Sequence, residues 1–87
     1  MKITISPKAE RQLRKINKID QIVIIEKIRK VFRKNNFLQE KRLSGYKKVF
    51  RLRISKYRII YKKTKKEIYI ILIGHRKDIY KVLKRLL

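Results

Sequence analysis

Hydrophobic and polar positions change their period along the chain, and the changes divide it into segments. Lys2 to Ile5 alternates polar and apolar residues, which predicts a short first strand. Ser6-Pro7 predicts a helix start, with serine at the N-cap and proline pre-set for the first turn. Ala9, Leu13 and Ile16 recur at helical spacing and carry that helix to about Asn17. Asp20 is placed to cap a second helix, whose apolar stripe is Ile24, Ile25, Ile28, Val31 and Phe32; Asn35-Asn36 ends it. Only a few residues separate the two, so they should form an antiparallel helical hairpin.

From Gly45 onward the period is two. Phe50, Leu52 and Ile54 share one face of a strand, and Arg51 and Arg53 share the other. Ser55-Lys56 is a tight connection, so Tyr57 to Lys63 should pair antiparallel with that strand. There Tyr57, Ile59 and Tyr61 take one face, and Arg58, Ile60 and Lys62 the opposite one. Thr64 to Lys66 makes a charged turn. Ile68 to Ile73 is apolar on both faces, as a doubly covered central strand would be, and Gly74 should stop it. Lys77 to Leu87 carries Ile79, Val82, Leu83 and Leu86 at helical spacing. The expected fold is α+β: an N-terminal strand, a helical hairpin, a three-stranded antiparallel meander and a short C-terminal helix, with the helices on one face of the sheet. No repeat or linker interrupts residues 1–87, so a single domain is expected.

Composition narrows the partners. The 87 residues include 28 Lys+Arg against 6 Asp+Glu, for a formal net charge of +22. Such a balance repels itself and draws in polyanions, so nucleic acid, ribonucleoprotein or an acidic protein is the expected partner. A disordered basic tail is excluded, because 44% of residues are hydrophobic and they cluster into elements. A membrane surface fits less well, since there is no Trp to anchor a basic helix. The opening MKITISPKAER lacks the apolar run of a secretory signal, and the longest apolar stretches are too short for a bilayer. A cytoplasmic protein is expected.

The candidate chemistry lies between Phe50 and Tyr80. With the hairpin over the apolar face, Arg51, Arg53 and Arg58 all fall on the open face, where Arg76 and Tyr80 can close a ring around one phosphate. Arginine presents a planar fork of donors suited to bidentate phosphate capture. Other chemistries find little support. One His and no Cys argue against zinc, the six acidic residues are scattered, and two glycines make no phosphate loop. A ribonuclease that uses the RNA's own 2′-OH needs neither metal nor cofactor.

The sub-motifs RLRISKYRIIY and GHRKDIY, in that order and spacing, resemble the RelE/ParE superfamily of bacterial and archaeal toxins, the RelE branch in particular. The resemblance covers essentially the whole chain. It implies a metal-independent endoribonuclease toxin that cuts mRNA in the ribosomal A site and is held inactive by a cognate RelB-like antitoxin. Its catalytic positions fall on Arg51, Arg53, Arg58, Arg76 and Tyr80. Lys47, Lys48 and Lys62 flank them and are expected to bind RNA. Some members have lysines where this chain has Arg51 and Arg53. Arginine is a poor general base, which makes His75, next to Arg76, the candidate for proton transfer. The antitoxin's helices are expected to lie across the exposed sheet or to displace the C-terminal helix. A ParE-like gyrase inhibitor and a non-catalytic or inactive RNA-binding homologue are the alternatives.

Overall fold

Along the chain follow β1 (Lys2–Ile5), α1 (Pro7–Arg14), α2 (Lys18–Arg33), β2 (Lys41–Arg42), β3 (Val49–Ile54), β4 (Tyr57–Lys63), β5 (Glu67–His75) and α3 (Ile79–Leu86). The computed structural model describes residues 2–34, 37, 39–75 and 77–86. One five-stranded sheet has the order β1-β5-β4-β3-β2; β1 runs parallel to β5 and the other pairs are antiparallel. The expected α+β class and the β3–β4–β5 meander are both present. The two-residue β2 is an addition, too short for any alternation to announce it.

Local chemistry sets the helix ends. Ser6 is the N-cap of α1: its hydroxyl oxygen accepts from Ala9 N–H at 3.0 Å, with Pro7 in the first turn. α1 ends at Arg14, short of the expected Asn17, because Asn17 is itself the cap of α2. Its Oδ1 accepts from Asp20 N–H at 2.9 Å and its Nδ2 donates to Asp20 Oδ2 at 2.9 Å. Asp20 thus lies one turn inside α2, where a carboxylate also meets the positive end of the helix dipole.

Two apolar clusters lie on opposite faces of the sheet. On one, Ala9, Ile24, Ile28 and Phe32 of the helical hairpin pack against Leu52, Ile54, Tyr57, Ile59, Tyr61, Ile68, Ile70 and Ile73. On the other, Ile79 and Leu83 of α3 cover Val49, Ile60 and Leu72, helped by Leu43 and Tyr46. This corrects the expectation that the helices share one face. The reason is that β5 is apolar at successive positions, so both of its faces need cover; a register shift against β4, with Ile60 paired to Leu72 and Tyr61 to Ile70, adds Ile71 as an extra residue. The bulge puts Ile70 and Ile73 on the hairpin side and leaves Leu72 on the other, an apolar strip that needs its own cover.

Gly74 does not end β5, which continues to His75. Gly74 pairs with Arg58, and its missing side chain makes room for α3: a Cβ there would lie 2.9 Å from Ile79 Cδ1. The ladder of β1 ends at Ile5 opposite Ile70. Beyond it α1 completes the edge of β5, because Ser6 Oγ donates to Ile71 O at 2.8 Å and Gln12 Oε1 accepts from Ile73 N–H at 2.9 Å. These side chains satisfy backbone groups that would otherwise template an unwanted strand.

Candidate functional site

The β3–β4 hairpin turns at Ser55-Lys56, with Ser55 in the left-handed region at φ 56°. Just past the turn, Arg58 stands opposite Arg53, and Arg51 opposite Ile60. Residues directly paired across antiparallel strands share a face, so Arg51, Arg53 and Arg58 are neighbours. Arg58 is only 6% exposed, Arg51 is half-buried and Arg53 exposed. Arg58 Nη1 donates to the carbonyls of Tyr57 at 3.0 Å and Ser55 at 3.5 Å, so its own hairpin holds it in place. Burial pushes the Arg58 guanidinium below its ordinary range, Arg53 and Arg51 push the same way, and the nearby Tyr80 of α3 works against them.

No carboxylate among the described residues offsets this. Among the described residues the ion pairs are Arg14–Glu10 and Lys63–Glu40, and neither touches the arginines. Arg51 Nε is buried with no hydrogen-bond partner among the described residues. A buried cation beside two like charges is unfavourable unless something negative is supplied, and a buried unpaired donor adds to the cost. Such an arrangement can accept an anion, and guanidinium forks suit a phosphate.

The structure brings Arg51, Arg53, Arg58 and Tyr80 together. Arg76 lies outside the described residues. His75 does not join the group. It pairs with Tyr57 rather than Arg58, and its ring meets that of Tyr57 edge-on at 5.9 Å, on the helical-hairpin side of the sheet. The continuation of β5 through Gly74 decides this, since Gly74 takes the arginine side and the next residue must point away. Lys62 shares the face of Arg58 but stands four residues along β4, about 13 Å away. Lys47 and Lys48 are exposed on the loop before β3, where Lys48 O accepts from Lys63 N–H at 3.0 Å. The three lysines flank the group and do not enter it. A groove of about 340 Å³ on α2, lined by Glu26, Arg29, Lys30, Arg33 and Lys34, is a solvated helix face distant in sequence from the arginines.

On the hairpin side, two polar contacts brace the sheet that carries the arginines. Tyr61 O–H donates to Glu40 Oε1 at 2.6 Å, and Lys63 Nζ reaches both Glu40 oxygens at 2.8 and 2.9 Å while lying 3.8 Å from the centre of the Phe37 ring. Burial, then Glu40, pushes the Tyr61 hydroxyl far above its ordinary range. Tyr57 O–H donates to Asp20 Oδ2 at 2.7 Å and ties the start of α2 to β4. That bond holds the Asp20 carboxyl below its ordinary range and the Tyr57 hydroxyl above its own. Tyr57 and Tyr61 are core residues, as their strand positions imply. Glu40, Lys63 and Gln12 carried no sequence signal, because their partners are brought near only by the fold.

The fold is that of a small, strongly basic α+β domain. Residues 3–80 match the family described as ParE toxin of type II toxin-antitoxin system, parDE, and the chain belongs to that family, within the RelE/ParE superfamily. It is a toxin of a type II toxin–antitoxin system. Its fold is RelE-like. A chain of the RelB-RelE antitoxin-toxin complex from Methanococcus jannaschii superposes with a TM-score of 0.74 at 22% identity, covering 91% of this chain and 96% of that one. The isolated Escherichia coli RelE toxin gives 0.72 at 20% identity over 99% and 98% of the two chains. The YoeB dimer from Staphylococcus aureus gives 0.71 at 21% identity over 87% and 97%. No curated protein matches the sequence significantly. Among the described residues no helix is long and apolar enough to cross a membrane.

Proposed function

We propose that this toxin is a metal-independent endoribonuclease that cuts mRNA in the ribosomal A site. The observation that carries the reading is the buried Arg58, flanked by Arg51 and Arg53 and without a carboxylate partner among the described residues. In the reaction the 2′-hydroxyl attacks phosphorus and gives its proton to solvent water, the bond to the 5′-oxygen breaks as that oxygen takes up a proton, and a 2′,3′-cyclic phosphate and a 5′-hydroxyl result. Arg51, Arg53 and Arg58, with Arg76 added from the sequence, neutralise the extra charge on the phosphoryl oxygens. Each well-placed donor of this kind is worth about 10²–10³ in rate. Tyr80 is the group beside Arg58 that can give a proton to the leaving 5′-oxygen. His75 faces away from the arginines and is given no part in proton transfer.

The partner that holds the toxin inactive is a RelB-like antitoxin, a reading supported by likeness to RelB-RelE complexes from Methanococcus jannaschii and Pyrococcus horikoshii. α3, Leu43 and Tyr46 cover Val49, Ile60 and Leu72 on the arginine side and leave Lys41, Arg53 and Lys62 exposed, so an antitoxin helix can lie against that basic strip or take the place of α3. Displacing α3 would remove Tyr80 from Arg58 and expose Val49, Ile60 and Leu72 to an apolar antitoxin segment. The test is primer extension on mRNA from translating ribosomes for the wild type beside Arg58→Ala. New 5′ ends at A-site codons, absent in the variant, are expected. Intact mRNA with folded protein would sink the nuclease reading. The family match to ParE favours gyrase inhibition as the second reading, which a supercoiling assay detects directly.

A further inference from the structure

One more cation faces the arginine group. Lys41, on the edge strand β2, has Arg51 as its ladder partner. Directly opposed side chains share a face, with Cβ atoms about 4.5–5.5 Å apart. Lys41, Arg51 and the Arg53–Arg58 pair therefore form a cationic patch across β2, β3 and β4. Lys41 is exposed, and it takes part in neither ion pair among the described residues.

A two-residue strand holds its own register poorly, and the preceding residue supplies what β2 lacks. Glu40 is clamped on the helical-hairpin side by Tyr61 O–H and Lys63 Nζ, at 2.6 and 2.8 Å. Successive residues of an extended chain point to opposite faces. Locking Glu40 to one side turns Lys41 to the other, beside the buried Nε of Arg51, which has no hydrogen-bond partner among the described residues. The lysine lies diagonally about 7–8 Å from Arg53, with Arg58 one strand further on. As a compact point charge on the exposed edge it suits a solvated phosphate, whereas the half-buried arginine forks suit the enclosed one.

We propose that Lys41 holds the RNA phosphodiester next to the one that Arg51, Arg53 and Arg58 surround, and that the contact of Glu40 with Tyr61 and Lys63 aims it there. The inference rests on the reading of the arginine group as an RNA site. It is tested by fluorescence anisotropy with an all-2′-O-methyl RNA oligonucleotide, which 2′-OH attack cannot cut, over a series of salt concentrations. The proteins are wild type, Lys41→Ala, Lys41→Arg and Lys8→Ala, the last an exposed lysine of α1 on the other side of the sheet.

Lys41→Ala should bind about five- to tenfold more weakly at 0.1 M salt, with the slope of log K against log salt shallower by about 0.7, the loss of one phosphate contact. Lys41→Arg should restore both, and Lys8→Ala should keep the wild-type slope. Glu40→Gln should weaken binding too, but not further when Lys41 is already alanine. Equal behaviour of Lys41→Ala and Lys8→Ala would overturn the Lys41 assignment alone. Additive losses in the double variant would overturn the aiming role of Glu40. A wild type that binds no RNA would instead overturn the underlying reading of the arginine group.

Discussion

Replacing Arg58 with methionine should stabilise the isolated protein while destroying its activity. Arg58 is 6% exposed, stands opposite Arg53, and has no acidic partner among the described residues. Two like charges about 6 Å apart at an effective dielectric of about 20 repel by roughly 3 kcal/mol, and desolvating the cation adds to that. Against this, methionine loses the charged donation to the Tyr57 carbonyl at 3.0 Å, worth about 1.5–2 kcal/mol, and a marginal 3.5 Å contact with the Ser55 carbonyl. The net expectation is a gain of about 1–2 kcal/mol, or several degrees in Tm for a domain of this size. Equilibrium urea unfolding at low salt measures it, and the gain should narrow as salt screens the exposed Arg53. RNA cleavage should fall by about 10²-fold or more. A variant that unfolds at lower urea than the wild type would refute the reasoning, because Arg58 would then be a structural residue and not one held ready for an anion.

Three further outcomes test the frame around the site. Tyr57 lowers the Asp20 pKa, so the bond between them stabilises the fold above the ordinary carboxylate range and is lost as pH falls through the lowered value. Urea midpoints from pH 7 down to pH 2 should therefore differ between wild type and Tyr57→Phe at neutral pH and converge in acid; a constant gap would refute the linkage. Gly74→Ala puts a methyl 2.9 Å from Ile79 Cδ1, costing about 1–2 kcal/mol, and adding Ile79→Val should recover most of it by deleting that atom. Failure of the second change to rescue would mean that the strain lies elsewhere. Glu40→Gln leaves the Lys63 ammonium, 22% exposed, without its counter-charge, and should cost about 1–3 kcal/mol by thermal unfolding. No measurable loss would show the contact to be surface-like.

Much of the architecture was legible because local signals and the final packing agree. The Ser6-Pro7 cap, the α2 stripe from Ile24 to Phe32 and the two-residue period of β3 and β4 each follow from backbone geometry over a few residues. That alternation alone put Arg51, Arg53 and Arg58 on one face, and the net charge of +22 indicated what such a face attracts. Tertiary structure decided the rest. The extra residue at Ile71 set which apolar side chains of β5 face which side, and α3 covers the arginine side instead of joining the hairpin. Carrying β5 through Gly74 sent His75 to the side away from Arg58. Glu40 turned Lys41 toward the arginines by meeting Tyr61 and Lys63 more than twenty residues away. A bulge, a strand end and a long-range polar contact depend on partners distant in sequence, and no periodicity within a single segment encodes them.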